Sequence, residues 1–225
     1  MPFDSCDPFD AAWSAFVAAG RTCGPTPGAR RAWLRGRSDY LVWVLRVNGP
    51  RVGDRVQAAA RRLESTIRPV PPADLHVTVW VAGFACDRVR FDDDVDPAVI
   101  GRWRSSLADA PRFRVEVGGI NSFTSAPFFD VVDVDGGIAE LRRRLGAHHD
   151  ELRFAPYLPH ISVGSYLDSR PVAPLVAALS PLRRLPPLSV AVDAVELCAF
   201  DGRVPGAPLR TVHRVELSMA ERRTA

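Results

Sequence analysis

Two short segments constrain the fold of this chain more than any other feature. Leu75-His76-Val77-Thr78-Val79 and Pro159-His160-Ile161-Ser162-Val163 share one plan: histidine, β-branched residue, hydroxyl residue, valine. A strand sends residues i and i+2 to the same face. His76 and Thr78 therefore project together, as do His160 and Ser162. Val77, Val79, Ile161 and Val163 turn the other way, into a core. The fold has to hold two strands that each carry an imidazole beside a hydroxyl on an otherwise ordinary sheet surface.

The surrounding pattern supplies partners for them. Positions 39–47 form a mostly apolar, β-branched run that reads as a buried strand. Val52, Val56, Ala59, Leu63 and Ile67 then recur at helical spacing, and Pro69, Pro71 and Pro72 stop that helix. A strand over 75–82 is followed by an acidic loop (Asp92, Asp93, Asp94, Asp96), expected to be solvated, and by a helix around 97–107. Phe113, Val115 and Val117 alternate with charged residues, as in a half-buried strand, and 128–134 reads as another. Ile138, Leu141, Leu145 and Leu152 mark a helix that carries Arg142, Arg143 and Arg144 outward. After the second histidine strand come a helix (Val172, Leu175, Val176, Leu179) and two final strands near 188–200 and 211–217.

Several of these strands are adjacent with no helix between them. That argues for α+β with largely antiparallel sheets, not a doubly wound parallel sheet. Residues 1–37, rich in proline and glycine, read as an N-terminal extension with a short helix over 11–19, packed on the domain or covering its cleft. The domain itself runs over 38–218, and 219–225 is a tail.

Composition narrows the function classes. With 47% apolar and 24% charged residues, the chain is neither disordered, collagen-like nor a coiled coil. The longest uncharged runs, 117–129 and 171–182, fall short of the ~20 residues a membrane span needs. No signal peptide is legible at the N-terminus, so a soluble, cytoplasmic monomer is expected. A net charge of +3 is too small for a nucleic-acid coat protein, although all 29 basic residues are arginine, whose planar fork suits phosphate. Cys6, Cys23, Cys86 and Cys198 form no Cys-x-x-Cys pair and read as reduced thiols. His148 and His149, adjacent near a helix end, point about 100° apart and make poor joint ligands. No metal and no cofactor are expected.

Two such strands side by side would present two imidazoles and two hydroxyls to one small volume, a workable phosphodiester site. One neutral histidine takes a proton from the attacking group, and the other, protonated, gives one to the leaving oxygen. Unperturbed histidine titrates near pH ~6.5, so both forms are available near neutrality. The hydroxyls donate to non-bridging phosphate oxygens, where charge builds in the transition state.

On these motifs the chain resembles the 2H phosphoesterase superfamily, which includes the 2′-5′ RNA ligase-like proteins and RNA 2′,3′-cyclic phosphodiesterases. His76-Val-Thr78-Val and His160-Ile-Ser162-Val match its paired motifs. Phe154-Ala-Pro-Tyr-Leu-Pro-His160 is similar to its approach to the second motif, and 195–200 with 212–217 to its last strand pair. The resemblance covers about 40–217.

It implies a bilobal α+β fold, two mainly antiparallel sheets with flanking helices related by a pseudo-twofold, and an active-site groove between the lobes. It also implies metal-independent opening of 2′,3′-cyclic phosphates on nucleotides or RNA ends. His76 and His160 would be the acid–base pair, and Thr78 and Ser162 the phosphate ligands. Tyr166, Phe123 and Trp80 are candidate substrate contacts. Gly164-Ser165-Tyr166 departs from relatives that carry a basic residue there. Hydrolysis of 2′-5′ linkages or of another small phosphodiester, and a nucleotide-binding module without catalysis, remain alternatives.

Overall fold

The computed structural model describes residues 7–47, 49–152 and 156–219. Cys6, Phe154 and the tail beyond position 219 lie outside the described residues. In chain order the elements are α1 (Pro8–Ala19), α2 (Pro27–Leu34), β1 (Asp39–Arg46), α3 (Pro50–Arg62), β2 (Ile67–Pro69), β3 (His76–Ala85) and β4 (Asp94–Val95). Then follow α4 (Pro97–Leu107), β5 (Phe113–Ser122), β6 (Pro127–Val132), α5 (Gly137–Gly146), β7 (His160–Ser162) and β8 (Gly164–Tyr166). The chain closes with α6 (Ala173–Leu179), β9 (Leu188–Val192), β10 (Ala194–Asp201) and β11 (Arg210–Glu216).

The architecture is α+β and antiparallel. Strands run in the order β11-β10-β1-β3-β7-β6-β5-β9, with β4 added parallel to β3, and β2 pairs β8 in a separate ribbon. The main sheet therefore has two four-stranded halves. They are joined where β3 meets β7, through one residue pair, Val77 and Ile161. Each motif strand belongs to a different half.

The helices bury one face of this sheet. Val52, Val56 and Ala59 from α3, Trp103 and Leu107 from α4, and Leu141 and Leu145 from α5 share one core with Trp43, Val77, Val79 and Ile161. On the other face Leu34 of α2 joins Tyr40, Val42, Val44, Phe84 and Cys198 in a smaller cluster. Residues ahead of β1 are thus part of the packing. Phe16 of α1 is buried, Asn121 Nδ2 donates to Phe9 O at 2.7 Å, and the Thr22 and Cys23 amides donate to Arg170 O and Thr124 O.

Several boundaries differ from the sequence expectation. The α3 helix ends at Arg62, and Ile67 opens β2, because Thr66 Oγ1 closes a turn onto Leu63 O at 2.8 Å. Leu152 does not continue α5; its amide donates to Val81 O on β3. The stretch 188–200 is two strands, β9 and β10, which pair β5 in one half and β1 in the other. The acidic loop is not simply solvated. Asp93 and Asp94 are buried against Arg37, whose Nη1 lies 2.5 and 2.6 Å from their carboxylates, and Asp96 caps α4.

Candidate active site

The two histidines begin their strands in the same way. His76 Nδ1 lies 2.6 Å from Asp74 O, and His160 Nδ1 lies 2.7 Å from Leu158 O. Each ring thus bonds the carbonyl two residues back. A carbonyl only accepts, so each Nδ1 carries the proton, and Nε2 is the nitrogen through which either ring gains or loses one. The sequence echo therefore extends to a backbone device that fixes the tautomer and orientation of both imidazoles.

Antiparallel pairing of Val77 with Ile161 sets His76 across from Ser162 and Thr78 across from His160. All four side chains are half-buried, whereas Val77, Val79, Ile161 and Val163 are fully buried on the helix side. Each imidazole has one hydroxyl neighbour along its strand and one across the pair, where opposed side chains come within roughly 5 Å at Cβ.

His76, Thr78 and Ser162 line a cavity of about 520 Å³. Its other walls come from Gly24, Pro25 and Arg30 of the N-terminal segment, Arg68 and Ser165 of the β2–β8 ribbon, and residues 204–207. His160 stands beside this cavity. Its ring meets Phe123 edge-on at 5.2 Å and Phe128 at 5.0 Å, which holds the imidazole in place.

The two halves give the site uneven electrostatics. Burial pushes the His76 pKa below 6.5; the hydrogen bond to Asp74 opposes this, and the neighbouring Arg46 charge adds to it. Arg46 is the register partner of His76 and ion-pairs with Asp74 and Glu196, each at 3.3 Å. On the other half, Asp130 is the register partner of His160. Burial raises its carboxyl to about 6, against an opposing hydrogen bond from Asn121.

The aromatic candidates are distributed differently from expectation. Phe123 stacks on Phe128 at 4.2 Å and reaches the site only through the edge of His160. Tyr166 borders the cavity but is buried. Its hydroxyl lies 2.9 Å from Ser122 Oγ and its ring is parallel to Phe16, so it has no face to offer a base. Trp80 is not a groove residue. The β1–β3 register shifts between Trp43 and Val44, so that Val44 faces Thr78 while Trp43 faces Trp80. The extra residue, Val79, is a bulge that interrupts the two-residue alternation. Trp80 consequently turns into the core beneath Arg142, against Gly146.

Arg142, Arg143 and Arg144 are engaged away from the groove, with Glu151, Glu140 and Asp109. Among the described residues, no group of three or more His, Cys, Asp or Glu converges as metal ligands would. No described helix is long and apolar enough to cross a membrane. Sequence reasoning missed Arg30, Arg68 and Ser165. Arg68 and Ser165 are opposed in the β2–β8 register, so a cation does reach the strand after the second motif, from across the ribbon.

No curated protein matches the chain in sequence. Among solved structures, apo LigT of Escherichia coli superposes with a TM-score of 0.54 at 16% identity, over 81% of this chain and 99% of LigT. LigT complexed with 3′-AMP gives 0.57 at 15% identity, over 81% and 99%. A Thermus thermophilus protein gives 0.54 at 18% identity, over 79% and 97%. These likenesses establish a shared fold. The profile of one family also matches residues 49–203, a span that holds both His-x-Thr/Ser strands and most of the chain. The chain therefore belongs to the 2′-5′ RNA ligase superfamily, the family of 2H phosphoesterases.

Proposed function

We propose that this protein is a metal-independent phosphodiesterase that opens 2′,3′-cyclic phosphates on nucleotides or RNA ends by two-histidine acid–base catalysis. The observation that carries this reading is the matched pair of Nδ1-to-carbonyl bonds, which makes Nε2 the titrating nitrogen of each ring, as a two-histidine acid–base pair requires. The complex of its structural neighbour LigT with 3′-AMP, a nucleoside monophosphate, is in keeping with it.

In this mechanism His76, which burial holds neutral near pH 7, takes a proton at Nε2 from the attacking water. The water oxygen bonds to phosphorus as one ring ester bond breaks. His160, protonated at both nitrogens, gives its Nε2 proton to the departing ribose oxygen. The product is a phosphomonoester beside a free hydroxyl, with the two histidines in exchanged protonation states that solvent restores. Thr78 and Ser162 donate hydrogen bonds to the non-bridging oxygens, where negative charge grows.

Phosphorus NMR on 2′,3′-cyclic nucleotides and a cyclic-phosphate-ended RNA, with protein in excess EDTA, tests the reading. The expected result is ring opening that His76→Ala and His160→Ala each slow about 10²–10⁴-fold. Turnover that survives both substitutions, or that EDTA abolishes, would overturn it.

A further inference from the structure

A second, larger cavity of about 820 Å³ lies beside the histidine groove, lined by α2 and by Arg203 and Pro205. It shares Pro25, Arg30 and Pro205 with the groove, so the two adjoin. Nearly all of its wall lies outside the span matched by the family profile. No carboxylate lines it, while four arginines do.

Two of these arginines are already ion-paired. Arg37 is held by Asp93 and Asp94, and Arg203 by Asp201. The other two lie outside these pairs. Arg30 Nε donates to Gly202 O at 2.5 Å, which fixes the side chain through a backbone carbonyl. Neither Arg30 nor Arg31 has an ion-pair partner among the described residues. On the groove side Arg68 repeats the arrangement, donating to Pro205 O at 3.4 Å without a carboxylate. Three guanidinium groups without an ion pair among the described residues thus follow one another from the second cavity into the groove, Arg30 sensing Asp201 only at longer range.

An aromatic platform completes the cavity. Trp33 keeps 37% of its surface exposed, and its ring is braced at 4.8 Å by both Tyr40 and Phe84. Cations along a path with a rigid aromatic face are the means by which proteins hold single-stranded nucleic acid. A volume of this size suits a nucleotide-sized ligand.

We infer that the α2 cavity is a second binding site, for the body of a single-stranded RNA whose end occupies the histidine groove. A base stacks on Trp33, and backbone phosphates meet Arg31, Arg30 and Arg68 in turn. This rests on the proposed phosphodiesterase reading and narrows it: the preferred substrate is an oligonucleotide, because Arg31 and Trp33 line the second cavity and not the histidine groove.

The test compares a 2′,3′-cyclic mononucleotide with an octanucleotide bearing the same cyclic end, using the full chain. Fluorescence anisotropy of the octanucleotide carrying a terminal phosphate gives binding without turnover. The RNA should exceed the mononucleotide in kcat/KM by about tenfold or more, and Arg31→Glu should erase that advantage without touching mononucleotide kinetics. Arg31→Glu should also weaken RNA binding and flatten its salt dependence, by about 0.7 in log–log slope for each phosphate no longer neutralised. Trp33→Ala should act likewise, with Trp33→Phe restoring binding and a melting curve confirming the fold.

Equal kcat/KM for both substrates, or RNA binding indifferent to Arg31→Glu, overturns the inference and leaves the phosphodiesterase reading standing if the mononucleotide is opened. RNA binding that depends on Arg31 and Trp33 with no turnover of either substrate upholds the cavity and overturns the reading.

Discussion

Asp130 stands directly opposite His160 in the antiparallel register of β6 and β7. Burial lifts its carboxyl to about 6; Asn121 and Arg183 pull it down, while Asp7 and Asp10 add to the rise. A carboxyl with a raised pKa binds its proton more tightly in the folded state than in the unfolded chain. Its contribution is full below pH ~3.8 and is lost as pH rises through about 6. Asp130→Asn should therefore stabilise the fold at pH 7 by an amount on the order of 1 kcal/mol, read as a higher Tm, and leave Tm unchanged at pH 4. Thermal melts at the two pH values check this.

His76 titrates in the opposite sense. Its depressed pKa means that the folded state resists protonation, so stability is full above about 6.5 and falls as pH drops toward the folded value. Melts of the wild type should show this acid-side slope near and below pH 6.5, and His76→Ala should lessen it. In the proposed mechanism, kcat/KM should hold its plateau to below pH 6.5 before its acid limb begins, because the base stays neutral there. An acid limb centred above 6.5 would give the role of base to another group.

Trp80 separates packing from substrate contact. Its ring is buried against Gly146 and under Arg142 on the helix side of the sheet. Trp80→Ala should cost roughly 3–5 kcal/mol in chemical denaturation, as for other large aromatic truncations. The KM of the folded fraction should not change.

Arg37 anchors the N-terminal segment. Its guanidinium contacts two buried carboxylates and the ring of Phe84, and donates to Leu34 O at the end of α2. Although burial alone would raise them, hydrogen bonds from Arg37 hold Asp93 and Asp94 below the usual carboxylate range. Arg37→Ala would leave these charges poorly compensated and should cost roughly 3 kcal/mol at pH 7. The loss should shrink as pH falls below about 3.8 and the carboxyls take up protons. Denaturation at both pH values measures it.

The motif strands and the α+β class were legible because a two-residue period and a helical period are written in side-chain types. What escaped was written elsewhere. The Nδ1 bonds end on carbonyls of Asp74 and Leu158, and any residue has a carbonyl. The bulge that turns Trp80 inward is one extra backbone position and leaves no mark in composition. Arg37 and Asp93 are 56 positions apart, so local pattern gave their pairing no signal, and the aspartates looked like an ordinary solvated loop. The β2–β8 ribbon contains a proline and a glycine in strands of three residues, too short to declare a period.

The two halves of the sheet meet at a single rung, Val77 to Ile161, with one histidine riding on each side of it. The separation of the two imidazoles is consequently a property of neither strand alone. It is an angle, set by how the halves lean on one another across that rung. The segment ahead of β1 spans that rung, with α1 packed on β5 in one half and Leu34 of α2 packed on Tyr40 and Phe84 in the other, and so acts as a strut on this angle.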